Sequence, residues 1–192
     1  MLKIAFALLA LLSSVAAAAA QATLTFGGEP YVRKHEQMNE KAAIIEFVPA
    51  EETLEGWTRL VGFHGFWHNK DTAAEAAQTL ARFAAERYPD GARPRIRSKG
   101  AEALVDFVAK APNSDVLEFN VFKYGRAPDG RGIVAFQFAR RFRGLDPEDV
   151  RTLCERWIAE AAGFDLKIAS AALKGTARRA TAALRAPTLA SP

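Results

Sequence analysis

The side chains in this 192-residue sequence best suited to chemistry are three histidines, one cysteine, a few serines and a short arginine cluster. His64 and His68 stand four residues apart, the spacing at which two imidazoles on one helix face can hold a metal. Their neighbours Gly62, Phe63, Gly65, Phe66 and Trp67 favour a strand instead. On a strand the two rings share a face but lie about 13 Å apart by strand rise, too far for one ion to bridge. No metal and no cofactor are expected, and His64, His68, Trp57 and Trp67 become candidates for direct ligand contact. Beyond the first segment the serines are Ser98, Ser114, Ser170 and Ser191, and none sits in Gly-x-Ser-x-Gly. Ser98 lacks the preceding glycine that a nucleophile elbow needs for its sharp turn. Cys154 shares a helical stripe with Val150, Leu153, Trp157, Ile158 and Ala161, an apolar setting that suits a core residue better than a thiolate. A single cysteine also leaves no internal disulfide.

Two glycine-rich stretches resemble nucleotide motifs and fail on their residues. Gly125 to Gly132 has phosphate-loop glycine spacing, but Arg131 and Gly132 stand where Lys and Ser/Thr are needed, and strands flank it. Arg131 to Phe138 matches an RNA-recognition strand only at Arg131, Gly132 and Phe138. With a formal charge of only +4, no nucleic-acid partner is expected. Arg140, Arg141 and Arg143 end a strand; Arg140 and Arg141 are retained as candidate contacts for an anion or carboxylate. Glu51, Glu52 and Glu55 follow Pro49 and read as solvated loop acids. Thirteen Phe, three Trp and three Tyr are enough to line a pocket, though a core of this size needs such residues too.

The elements that must position these groups follow from periodicity. Ala43 to Val48 and Trp57 to Trp67 read as strands. Asn69 to Tyr88 reads as a helix opened by the capping-box spacing of Thr72 and Glu75, with Ala73, Ala76, Ala77, Leu80, Phe83 and Ala84 as its buried stripe. Four strands follow, at Arg93 to Arg97, Ala103 to Ala109, Val116 to Tyr124 and Gly132 to Phe142. In the last two, Leu117, Phe119 and Val121 alternate with Glu118, Asn120 and Phe122, and Val134, Phe136 and Phe138 alternate with Ala135 and Gln137. Pro128-Asp129-Gly130 turns the chain between them. Asp146-Pro147-Glu148-Asp149 then opens a helix reaching Ala162. The expected class is α+β, a mainly antiparallel sheet with two principal helices packed on it, in one domain over 23–165.

Composition and the chain ends set the compartment. At 49% hydrophobic and 25% charged, the sequence is that of a globular domain and excludes disordered, collagen-like and disulfide-scaffold classes. Residues 1–22 have the layout of a cleaved secretory signal peptide: Lys3, an apolar run from Ile4 to Leu12, and small residues to Ala20 or Ala22. Export to the periplasm or beyond is therefore expected. Residues 166–192 carry Lys167, Lys174, Arg178, Arg179 and Arg185 and no acid, and read as a basic, weakly helical or disordered tail able to touch an anionic membrane surface.

The stretch Ile45-Glu46-Phe47-Val48-Pro49 with Glu52-Thr53-Leu54-Glu55-Gly56-Trp57-Thr58-Arg59-Leu60 resembles a pattern in small exported bacterial proteins of uncharacterised function. The order of elements is similar to the MOG1/PsbP-like α/β/α sandwich. That resemblance implies a fold and a binding or assembly role, and it brings no catalytic residues. The expected function is thus a noncatalytic exported binding or accessory protein, its partner a small molecule or an envelope protein. A hydrolase with dispersed residues is the alternative, as is envelope association through the basic tail.

Overall fold

A computed structural model describes residues 22–185, with side chains through Thr176. The expected signal peptide lies outside the described residues apart from Ala22, as do residues 186–192. Eight strands form one antiparallel sheet: β1 (Thr23–Phe26), β2 (Glu29–Met38), β3 (Ala42–Val48), β4 (Arg59–Phe66), β5 (Ala92–Lys99), β6 (Glu102–Lys110), β7 (Val116–Arg126) and β8 (Ile133–Arg143). Their order is β1-β2-β3-β4-β8-β7-β6-β5. Two four-strand meanders therefore meet where β4 pairs with β8, and the helix α1 (Ala73–Arg87) carries the chain from the centre to the far edge.

Local chemistry explains the boundaries. The Thr72 hydroxyl accepts from the Glu75 N–H while the Glu75 carboxylate accepts from the Thr72 N–H, a reciprocal cap that opens α1. Gly130, at φ 73, supplies the left-handed step of the β7–β8 turn. β1 and β2 carry no clean alternation: Glu29, Arg33, Lys34, His35 and Glu36 fill β2, so nothing in its pattern marks it as a strand.

Three expectations are corrected. The helix read from Asp146 to Ala162 is two, α2 (Pro147–Leu153) and α3 (Glu155–Gly163), divided at Cys154 with φ −95 and ψ 0. The break sends Leu153 outward, 57% exposed, while Val150, Cys154, Trp157, Ile158 and Ala161 all face the core. Phe83 is likewise 56% exposed, and α1 is buried through Ala73, Ala77 and Ala84. The segment read as a weakly helical or disordered tail forms α4 (Leu166–Arg185), with Leu166, Ala169 and Leu173 in the main core. Its small stripe buries little area per residue, but it meets a ready apolar sheet face, and tertiary packing rather than intrinsic propensity decides helix formation there.

The two sheet faces differ. On one, Ile45, Phe63, Phe119, Phe136 and Phe138 join Trp157 and Leu173 from the later helices in the largest core cluster. Lys123, buried on this face, donates to the carbonyls of Ala162 (2.9 Å) and Phe164 (2.8 Å), satisfying acceptors that the end of α3 leaves free. On the other, α1 contributes Ala73 and Ala77 to a cluster with Val105, Tyr124 and Ile133. At the far end of that face, Trp57 gathers with Val48, Leu60 and Ala139. A polar strip lies between them.

Candidate functional site

That strip is built by the alternation of β4, β7 and β8. Register places Gly62 opposite Gln137, His64 opposite Ala135, Asn120 opposite Ala139 and Glu118 opposite Arg141, so their side chains share one face. They join in sequence. His64 Nε2 lies 2.9 Å from Gln137 Oε1. Gln137 Nε2 donates to Asn120 Oδ1 at 2.9 Å, and Asn120 Nδ2 donates to Glu118 Oε1 at 3.2 Å. Glu118 Oε2 accepts from Arg141 Nε at 3.3 Å, and Arg141 Nη1 reaches the Trp57 carbonyl at 3.4 Å. Across this row the chain descends from the Ala135 level to the Arg141 level of β8, about 20 Å by strand rise.

The direction of this chain is fixed by chemistry. A carboxylate only accepts, so Asn120 must turn its NH2 toward Glu118 and its oxygen toward Gln137. Gln137 then offers His64 an oxygen, and His64 must donate from Nε2. The imidazole is held with Nε2 protonated and Nδ1 carrying a bare lone pair. Burial pulls its pKa below 6.5, with the Gln137 hydrogen bond acting in the opposite sense, so the ring is neutral near pH 7. Gly62 makes the contact possible: a Cβ there would stand 2.8 Å from His64 Nε2 and 3.0 Å from Gln137 Oε1. Phe66 stacks parallel to the imidazole at 6.3 Å, and Phe122 tilts against it at 5.7 Å.

At the other end the strip opens into a cleft of about 720 Å³, lined among others by Glu55, Trp57, Tyr88, Glu118, Arg141 and Arg143. The Arg141 guanidinium carbon lies 3.7 Å from the Trp57 ring centroid, a cation–π contact at the cleft. Glu52 fixes the loop that brings Trp57 there, accepting from the Thr58 N–H at 2.6 Å and the Thr58 hydroxyl at 2.5 Å. Burial raises the Glu52 pKa, but those bonds together with Arg59 outweigh it and hold the carboxyl below its ordinary range.

Residues 18–162 match an uncharacterised bacterial family. The chain belongs to that family. The match spans every residue of the polar chain and of the cleft lining, and it stops before α4. No curated protein and no solved structure matches this chain.

Of the six residues expected to contact ligand, His64, Trp57 and Arg141 are linked on this face by the bonds just described, and the other three lie elsewhere. Arg140 is on the opposite face, 4.6 Å over the Trp157 ring and 5.1 Å over Phe142. Trp67 packs against the main core, on the opposite face to His64. His68 does not share a face with His64: β4 ends at Phe66, the Trp67 N–H closes on the Lys41 carbonyl, and the chain turns through His68 at φ 64. Among the described residues no group of three or more His, Cys, Asp and Glu is placed to hold a metal ion.

Gln137, Asn120, Glu118 and Tyr88 complete the site without having been singled out. The signal for the first three was present in the alternation, since Glu118, Asn120 and Gln137 occupy the polar phase of two adjacent strands. Tyr88 carried none, because its position depends on how α1 lies across the sheet.

Proposed function

We propose that the chain is an exported, noncatalytic binding protein that holds a small ligand on the open sheet face, with Arg141 and Trp57 at the contact. The observation that carries this reading is the cleft of about 720 Å³, within the size range of small-molecule sites and walled by rings and charged groups together. The α/β/α sandwich resemblance and the leader-like residues 1–22 belong to the same reading, as do periplasmic or secreted localisation and an envelope protein as the other kind of partner. Helices lie on both faces of the sheet, α1 on the face of the polar strip and α2 to α4 on the other, which supports the sandwich resemblance.

A hydrolase is disfavoured by the surroundings of His64. Its hydrogen-bond partner among the described residues is Gln137, with no hydroxyl or thiol in reach. Cys154 is on the opposite face, its thiol pushed up to about 12 by burial. Membrane contact through the tail is also disfavoured, since its apolar residues Leu166, Ala169 and Leu173 are in the core.

Native mass spectrometry of the protein purified from its own host tests the reading. A bound small molecule in the wild type that is lost in Arg141→Gln is the expected result. A bare chain, or a bound mass that Arg141→Gln leaves in place, would overturn it.

A further inference from the structure

Resting on the binding reading above, we propose that the cleft takes a zwitterion with an apolar middle: a free amino acid or short peptide whose carboxylate meets Arg141 and whose ammonium meets Glu55.

The charge pattern of the lining supports this. Arg141 and Arg143 are balanced by Glu55 and Glu118, so the cleft favours a net-neutral ligand carrying both signs over a plain anion or cation. Two of these charges have their ligand-facing capacity taken up by protein partners. Both Glu118 oxygens accept, one from Asn120 and one from Arg141. Arg143 is held by Asp115, with Nη1 at 2.5 and 2.6 Å from the two carboxylate oxygens.

Two groups retain capacity for a ligand. Arg141 uses Nε and Nη1 and leaves Nη2 without a protein partner among the described residues, while its Cζ lies 3.7 Å from the Trp57 ring centroid. Glu55 is exposed and makes no hydrogen bond or ion pair among the described residues. The surfaces of Tyr88, Val116 and Ala109 line the same cleft and suit an apolar side chain. A guanidinium pre-oriented by stacking loses little freedom on meeting a carboxylate, which is why such a site discriminates by chemistry and not only by charge.

The test is isothermal titration of the full chain with alanyl-phenylalanine, its N-acetyl form and its C-terminal amide. Saturable binding of the dipeptide is expected, weakened about tenfold by either cap, as loss of one charge-assisted contact predicts. Glu55→Gln, an exposed position, should weaken the free dipeptide about tenfold and leave the N-acetyl form unchanged, with an unaltered melting temperature. Equal binding of all three forms, no saturable binding of the dipeptide, or an indifferent Glu55→Gln would overturn the proposal. A bound non-zwitterionic mass in host-purified protein, together with no dipeptide binding, would defeat this inference while leaving the binding reading intact.

Discussion

The two faces of one sheet are built from the same strands and solve opposite problems. On the closed face, Phe136 stacks on Phe164 at 4.1 Å and meets Phe26 at 4.9 Å, and the buried charge Asp106 is surrounded by Arg95, Arg97 and Arg151. Arg95 and Arg151 go on to pair with Glu155 and Glu148, so the charges of this cluster are answered within the protein. On the open face, β7 and β8 contribute Glu118, Asn120, Gln137 and Arg141, each also bonded, but the row terminates in a bare imidazole nitrogen at one end and a guanidinium nitrogen at the other. Polar residues in the core-free phase of a strand are thus organised here, and the direction of their bonds distinguishes a poised surface from a solvated one.

The largest effects belong to the closed face. Phe136→Ala removes a fully buried ring and is expected to cost about 3–5 kcal/mol in denaturant unfolding. Asp106→Asn leaves the buried Arg151 guanidinium with only the largely exposed Glu148 as counter-charge and should cost about 3 kcal/mol, less than a fully enclosed pair because Arg95 and Arg97 are partly exposed. A loss below 1 kcal/mol would mean that the cluster is solvated and the contrast between faces overstated.

On the open face smaller losses are expected. Gly62→Ala drives a methyl against the His64–Gln137 contact, and about 1–3 kcal/mol should be lost together with the native His64 resonance. An unchanged resonance would show that the strip tolerates a break at its top. The smallest effect is a pH slope. Because His64 binds its proton less readily folded than unfolded, stability should fall as pH drops below about 6.5 toward the folded-state value, and His64→Gln should flatten that part of the curve. The same slope in both proteins would remove His64 from the acid response.

Much of the sheet was readable because its central strands alternate cleanly: Leu117, Phe119 and Val121 against Glu118, Asn120 and Phe122 fix both register and face. β1 and β2 were missed for the opposite reason, a charged sequence with no period, held by pairing to β3. In α2 and α3 the helical stripe was legible and the break at Cys154 was not, since that break depends on how two short helices pack on the sheet. The site was half legible. His64, Trp57 and Arg141 stood out as residue types, whereas their connection through two amides required the register of three strands. Arg140 shows the limit of reading types alone, since one residue of offset from Arg141 places it on the other face.

The most direct test of the oriented strip is the protonation state of His64, read from imidazole nitrogen shifts in 15N-labelled protein at pH 7. The expected result is a neutral ring protonated at Nε2 with Nδ1 bare, persisting in wild type and lost when Gln137→Leu removes the acceptor. A ring protonated at Nδ1, or an imidazolium at that pH, would contradict the direction of the whole chain from Glu118 upward.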